Sequence, residues 1–252
     1  MKEIIVDDKN ARQYKRRSLI AFVVFFVMIG VAYASWAWLQ HQPNVDGAKA
    51  PLRKGLEVNE SLFSKLFSKD KLAKEYPVSA ASKTPRVNGD LGLADSTFDA
   101  AKWKLHVIKS KGDTLLITLD ELKKLPKQDI IFDFKCIEGW NQVTHWGGVR
   151  FSDFMKKYQL APEQAMQYVG MVTPDSKYYV GIDMKSMLQP QTILSYEMNG
   201  ASLPMNQGYP LRLIIPVKYG VKHIKRIGTI SFANTKPRDY WAEKGYDYYT
   251  GH

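Results

Sequence analysis

Phe132-Asp133-Phe134-Lys135-Cys136-Ile137-Glu138-Gly139-Trp140 (FDFKCIEGW) contains the only cysteine in 252 residues. Ile130, Phe132, Phe134 and Cys136 share one parity while Asp133 and Lys135 take the other, so a strand would place the apolar set and the thiol on one face. Glu138-Gly139-Trp140 breaks the alternation, which puts the sulfur at a strand end where loops converge. A lone cysteine can be an inert core residue, a partner in an interchain bond, a nucleophile or a metal ligand. As a nucleophile it would need a base such as His145 or His106, as in an exported Cys-His transpeptidase or hydrolase. No Thr-Leu-x-Thr-Cys or Ser-His-Gly-x-Arg-x-Cys arrangement surrounds it. As a ligand it would suit a soft metal whose other ligands come from a cofactor, because no His/Cys cluster has zinc spacing.

Outward from this strand, short alternating segments predict further strands at 103–108, 114–118, 178–182, 211–215 and 224–232. Helices are expected over 119–124, after a Thr118 cap, and over 151–158. Tyr196-Glu197-Met198-Asn199-Gly200 ends in Asn-Gly, a strong hairpin signal, with 201–203 as the returning strand. Strands outnumber helices without regular βα alternation, which predicts an α+β fold with mixed sheets.

Upstream, Leu19 to Leu39 carries no formal charge, and a helix of that length at about 1.5 Å per residue matches a hydrocarbon core of about 30 Å. Arg12, Lys15, Arg16 and Arg17 precede the run, so the positive-inside bias places the N-terminus in the cytoplasm and everything after residue 40 outside it. Trp36 and Trp38 would anchor the outer interface. Ala32-Tyr33-Ala34 also has the form of a signal-peptidase site, but the apolar run is longer than a signal core and continues past it. The expected layout is a basic cytoplasmic tail (1–18), a transmembrane anchor (19–39), a tether with an amphipathic helix (40–75) and one further domain (76–252). The helix carries Leu56, Leu62, Phe63, Leu66 and Phe67 on one stripe, either docked on its own domain or serving a partner or membrane surface. Residues 1–17 hold six Lys/Arg against three Asp/Glu, so eight of the eleven excess positive charges belong to the exported part. Outside the cytoplasm that surplus points to an anionic membrane, an acidic partner or an anionic cofactor, with no nucleic acid.

Five segments in order then carry a resemblance: Cys136-Ile137-Glu138-Gly139-Trp140; Trp146-Gly147-Gly148-Val149 leading into a helix; Tyr196 to Gly200; Gly208-Tyr209-Pro210-Leu211-Arg212; and Lys218-Tyr219-Gly220 with His223-Ile224-Lys225. Together they resemble the molybdopterin-binding domain of the sulfite oxidase family, over about Tyr76 to Tyr249. The resemblance implies that Cys136 ligates molybdenum beside the dithiolene sulfurs of one pyranopterin, the molybdenum-molybdopterin cofactor. The cysteine would be solitary because the cofactor brings the other sulfurs.

The periplasmic methionine-sulfoxide reductase branch of that family is the nearest in pattern. That resemblance implies cofactor contacts at Asn88, Thr173, Arg212, His223, Ile224 and Lys225, and at Gln207 or the adjacent Asn206 where the branch has Asn. Sulfite oxidases place a Gly-Asn-Arg-Arg run after the cysteine; here Glu138 follows and would disfavour a sulfite dianion, whereas a neutral sulfoxide tolerates it. Glu138 could equally pair with Arg150. Lys15-Arg16-Arg17-Ser18-Leu19 loosely resembles a twin-arginine export signal. The chain shows no Cys-x-x-Cys-His haem site and no flavin fingerprint, so an external electron donor is expected, and the anchor favours an integral-membrane haem protein. The implied activity is reduction of a small-molecule or protein-bound oxide, on the periplasmic side of a cytoplasmic or inner membrane. The other readings are the Cys-His enzyme and a cofactor-free binding domain of the same fold.

Overall fold

The uncharged run lies inside one helix, α1 (Asp8–His41), whose residues 11–41 are long and apolar enough to cross a membrane, with none of their apolar stretch buried. The computed structural model describes residues 8–66, 72–94 and 97–251. The chain divides into two units, Met1–Gly55 and Leu56–His252. In the first, the stretch expected as a tether contains a small hairpin of β1 (Asn44–Val45) and β2 (Ala48–Lys49). Asp46 and Gly47 both adopt positive φ there, at 46° and 73°, the backbone an Asp-Gly turn supplies. The amphipathic helix, expected over 56–74, is α2 (Ala50–Leu66); its Leu62 and Phe63 are exposed, residues 67–71 lie outside the described residues, and 72–74 are not helical.

The second unit continues with β3 (Leu105–Ile108), β4 (Thr114–Ile117), α3 (Leu119–Lys123), β5 (Lys127–Lys135), β6 (Asn141–Arg150) and α4 (Phe151–Lys157). Then come β7 (Tyr168–Val172), β8 (Tyr179–Asp183), β9 (Ile193–Met198), β10 (Ala201–Ser202), β11 (Arg212–Ile214) and β12 (Thr229–Ala233). One sheet runs β10-β9-β6-β5 with β11 also on β9; the other runs β4-β3-β12-β7-β8. β12 is parallel to β3 and antiparallel to β7, so the α+β fold with a mixed sheet is as expected.

Local chemistry accounts for several of these elements. Thr118 accepts from the Glu121 amide while the Glu121 carboxylate accepts from the Thr118 amide, a capping box that starts α3. Asn199 and Gly200 take φ of 53° and 75° and turn β9 into β10. β5 buries Ile130, Phe132 and Phe134 in a cluster with Trp146, Ile193, Met198, Leu203 and Ile214. At roughly 25 cal/mol per Å² of apolar surface removed from water, rings of this size dominate that cluster.

Two strands escape the periodicity. β6 reads Asn-Gln-Val-Thr-His-Trp-Gly-Gly-Val-Arg, and its register on β9 shifts between Gly147 and Gly148. Gly148 permits that bulge: a Cβ there would lie 2.2 Å from the Leu194 carbonyl oxygen. β7 reads Tyr-Val-Gly-Met-Val, with both faces apolar, so alternation never arises. Conversely, the strand expected over 224–232 begins only at Thr229, because 218–226 is a buried irregular segment containing the turn Gly220–Lys222.

Candidate functional site

Cys136 follows the last residue of β5 and is 7% exposed. Its amide donates to the Trp140 carbonyl at 2.9 Å, and the Gly139 amide donates back to the Cys136 carbonyl at 3.1 Å, closing the turn that leads into β6. Burial pushes the thiol pKa up and Glu138 adds to this, while the amides of Glu138 and Ile137 and the charge of Arg86 oppose it. The protein alone therefore holds a thiol there, whereas the reactive or ligating species is the thiolate.

The bases considered for a nucleophilic cysteine stand elsewhere. His145 on β6 pairs with Asp129 at 2.8 Å, and His106 is exposed on β3 in the other sheet. Neither lines the cavity that contains the sulfur. Glu138 and Arg150 do not pair: Glu138 is exposed and accepts from Trp140 Nε1 at 3.0 Å, and Arg150 donates to Gln128. Arg150 caps α4 at the far end of β6, too distant along the strand to meet the Cys136 turn.

The cavity holds about 150 Å³ and gathers five stretches of chain. Cys136, Ile137 and Glu138 come from the β5 turn, and Asn88, Gly89 and Leu91 from an upstream loop. Gly220, Val221, His223 and Lys225 enter from the buried segment, with Tyr178, Trp241 and Tyr246 completing the wall. Gly220 lets that segment close on β5, since a Cβ would meet Phe134 Cζ at 2.8 Å and Asn88 Nδ2 at 3.2 Å. Asn88 Nδ2 donates to the Gly220 carbonyl at 3.3 Å. The His223 ring sits beside Phe134, 4.8 Å between centroids, and Nε2 donates to the Lys218 carbonyl at 3.1 Å. A carbonyl only accepts, so the proton is on Nε2.

Lys225 is the cavity's ammonium group. It donates to the carbonyls of Gly89 at 2.6 Å and Asn206 at 3.3 Å, and its pKa is pushed down to about 7, first by burial and then by the nearby Arg212 charge. Arg212 itself is fully buried, 4.4 Å above the Trp146 ring, and donates to the Gln207 carbonyl and Oε1 and to the His223 carbonyl. Among the described residues its Nε has no acceptor, and burial lowers its pKa to about 9.

Of the residues singled out from sequence, the fold thus brings Cys136, Asn88, His223 and Lys225 into one cavity. Arg212, Gln207 and Asn206 stand behind it as the hydrogen-bonded support of Lys225 and His223. Ile224 is fully buried in the core, and Thr173 bonds Asp175 at 2.6 Å and both backbone groups of Tyr178 and the adjoining turn. Tyr178, Trp241 and Tyr246 were not anticipated. The one signal for the last two is the aromatic density of the tail, Tyr240-Trp241 through Tyr248-Tyr249.

No group of three or more His, Cys, Asp or Glu among the described residues could hold a metal by itself. A lone buried thiol beside buried, depressed cations instead suits an anionic group that brings most of its own ligands.

A family model described as the oxidoreductase molybdopterin binding domain matches residues 92–241. A relative from Azospira oryzae, provisionally named protein-methionine-sulfoxide reductase subunit YedZ1, is 35% identical over 187 residues, covering 74% of this chain and 70% of its own. Two relatives are named protein-methionine-sulfoxide reductase catalytic subunit MsrP. The one from Xanthomonas axonopodis is 27% identical over 241 residues, covering 90% of this chain and 72% of its own. The one from Campylobacter jejuni is 28% identical over 162 residues, and the match spans 53% of that relative's length.

Proposed function

Because the chain belongs to the family of molybdopterin-binding oxidoreductases, we propose that it is a membrane-anchored, extracytoplasmic reductase in which the Cys136 thiolate ligates the molybdenum of a single pyranopterin. The residues present fit that group: a buried thiol, the depressed ammonium of Lys225, and Arg212 with an unused buried donor. When bound, the cofactor supplies the two-electron chemistry by which an oxygen atom leaves the substrate.

The chain's own part is positional and electrostatic. Cys136 is carried to the cavity at the end of the rigid β5, and it must lose its proton to ligate, a loss that burial opposes and a bound cation favours. An arriving anionic group favours the protonated form of Lys225, and a charge-assisted bond to a phosphate contributes about 1.5–3 kcal/mol. Arg212 donates to Gln207 and to the His223 carbonyl, and so ties the cation-rich segment to the Met205–Gln207 turn. Asn88 ties the upstream loop to Gly220 on the opposite wall.

A sulfoxide is the substrate class these features favour, in keeping with the names of the relatives. Glu138 at the cavity disfavours a sulfite dianion and tolerates a neutral oxide. Its reduction consumes two electrons and two protons and yields a thioether and water. The electrons come from outside the chain, from an integral-membrane haem protein that α1 keeps close. The observation that carries the reading is that Cys136 and Lys225, distant in sequence, share one cavity.

Protein produced in a host competent for cofactor synthesis should hold about one molybdenum per chain and reduce methionine sulfoxide with a viologen donor. Cys136→Ala should lose both. Metal-free wild type that stays active through a covalent adduct at Cys136 would instead establish the Cys-His chemistry.

A further inference from the structure

Trp241 and Tyr246 line the cavity yet contribute nothing to the cation-rich segment that faces Cys136. Cys136 is 7% exposed and Tyr246 43%, so the cavity runs from a buried sulfur to an open rim. The two rings pack edge to face, 5.1 Å apart at 72°. Their turn is tightly built: the Ala242 amide donates to Asp239 Oδ1 at 3.0 Å, the Tyr246 amide to the Trp241 carbonyl at 3.1 Å, and Gly245 takes a φ of 94°. Asp239 also accepts from the buried Lys222, in the segment that carries Gly220, Val221 and His223. Rim and inner wall are therefore locked to each other through one buried ion pair.

The rim chemistry is apolar and π-rich, with Leu91, Ile137 and Val221 joining the two rings, and the carboxylate lining it is Glu138. Such a wall attracts neither an oxyanion nor a strongly hydrated group. It does suit alkyl groups on sulfur, since a sulfur about 5 Å from an aromatic ring makes a favourable contact. We propose that Trp241 and Tyr246 form the substrate wall that grips the alkyl arms of a methionine sulfoxide residue, reached from solvent through the open rim. They set KM, while the Cys136 side of the cavity carries the chemistry. This inference rests on the sulfoxide reductase reading given above.

The test uses the full-length holoenzyme in detergent, with an N-acetylated, amidated methionine sulfoxide as substrate. KM, kcat and molybdenum per chain are measured for wild type, Tyr246→Leu and Trp241→Leu, and tryptophan fluorescence of the cofactor-free protein is titrated with the same compound. Each substitution should raise KM about 3- to 10-fold, more than it lowers kcat, at wild-type molybdenum content. The fluorescence titration should weaken in parallel for Tyr246→Leu. Tyr246 is exposed, so its variant remains informative even where Trp241→Leu fails to fold. Unmoved KM in a wild type that reduces the sulfoxide, or kcat and molybdenum falling together at constant KM, overturns the substrate wall alone. A wild type loaded with molybdenum that reduces no sulfoxide overturns both this inference and the reading beneath it.

Discussion

Two short stretches meet at the cavity, and they are built in opposite ways. The Cys136–Trp140 turn is local: it closes on its own backbone hydrogen bonds, joins two adjacent strands and leaves Glu138 in solvent. The segment from Lys218 to Arg226 is held from far away. Lys218 is bound by Asp183 at 3.0 Å and the Tyr249 carbonyl at 2.9 Å, Lys222 by Asp239 and the Gly181 carbonyl, and Arg226 by the carbonyls of Tyr209 and Leu93. A run of cations that would be solvated on an ordinary surface is here buried, with each charge answered by a partner distant in sequence. The difference teaches that the cysteine-bearing turn is cheap to form, and that the wall opposite it depends on the completed fold.

Substitution at Lys222 is the strongest way to break this contrast. Lys222→Ala leaves Asp239 buried without its cation, and removing one partner of a buried pair costs about 3–5 kcal/mol. Denaturation of the full chain should show that loss. Hydrogen exchange should show 218–226 and the 239–246 turn opening together while β5 stays protected. The double substitution Lys222→Met with Asp239→Leu should recover only part of it: no charge is stranded, but the buried Gly181 and Ala242 amides lose their acceptor.

Titration sharpens the contrast at intermediate size. Lys225 and Lys218 have folded pKa values lowered to about 7 and about 8, chiefly by burial, below the unfolded lysine value. Well below pH 7 both folded and unfolded states are fully protonated and the penalty is complete. As pH rises from 7 towards about 10.4 the unfolded chain retains protons that the folded one has shed, so stability of the cofactor-free protein should rise, by up to about 1.4 kcal/mol per pH unit for each group. Above that range Tyr178 and Tyr248, whose ionisation burial pushes up, should reverse the trend. Lys225→Met should flatten the slope between pH 7 and 8, and an unchanged slope would show that Lys225 is not the group titrating. The smallest effect belongs to the local turn: Glu138→Gln removes an exposed charge while keeping an amide oxygen to accept from Trp140, and should change stability by less than about 0.5 kcal/mol in a thermal melt.

The same division decides what could be read from the chain. The capping box at Thr118, the Asn199-Gly200 hairpin and the alternation that carries β5 to Cys136 all rest on chemistry within a few residues, and all three were legible. β6 and β7 were not. One is an inner strand of a sheet with a bulge that Gly148 permits, and the other is apolar on both faces, so neither displays a period. The Arg150–Glu138 pairing suggested by charge alone fails because β6 carries Arg150 to its opposite end.

By itself the sequence determined a long uncharged N-terminal helix, an α+β domain with mixed sheets, and a solitary cysteine at a strand end, because hydropathy, period and turn chemistry act over short distances. Only the tertiary structure decided that Lys225, His223 and Asn88 share a cavity with that cysteine, that Arg212 supports them from behind, and that Trp241 and Tyr246 close the rim. Those placements follow from the paired charges and close backbone approaches of segments more than a hundred residues apart, such as Asn88 with Gly220 and Lys225 with Gly89. A linear pattern holds no record of such distances.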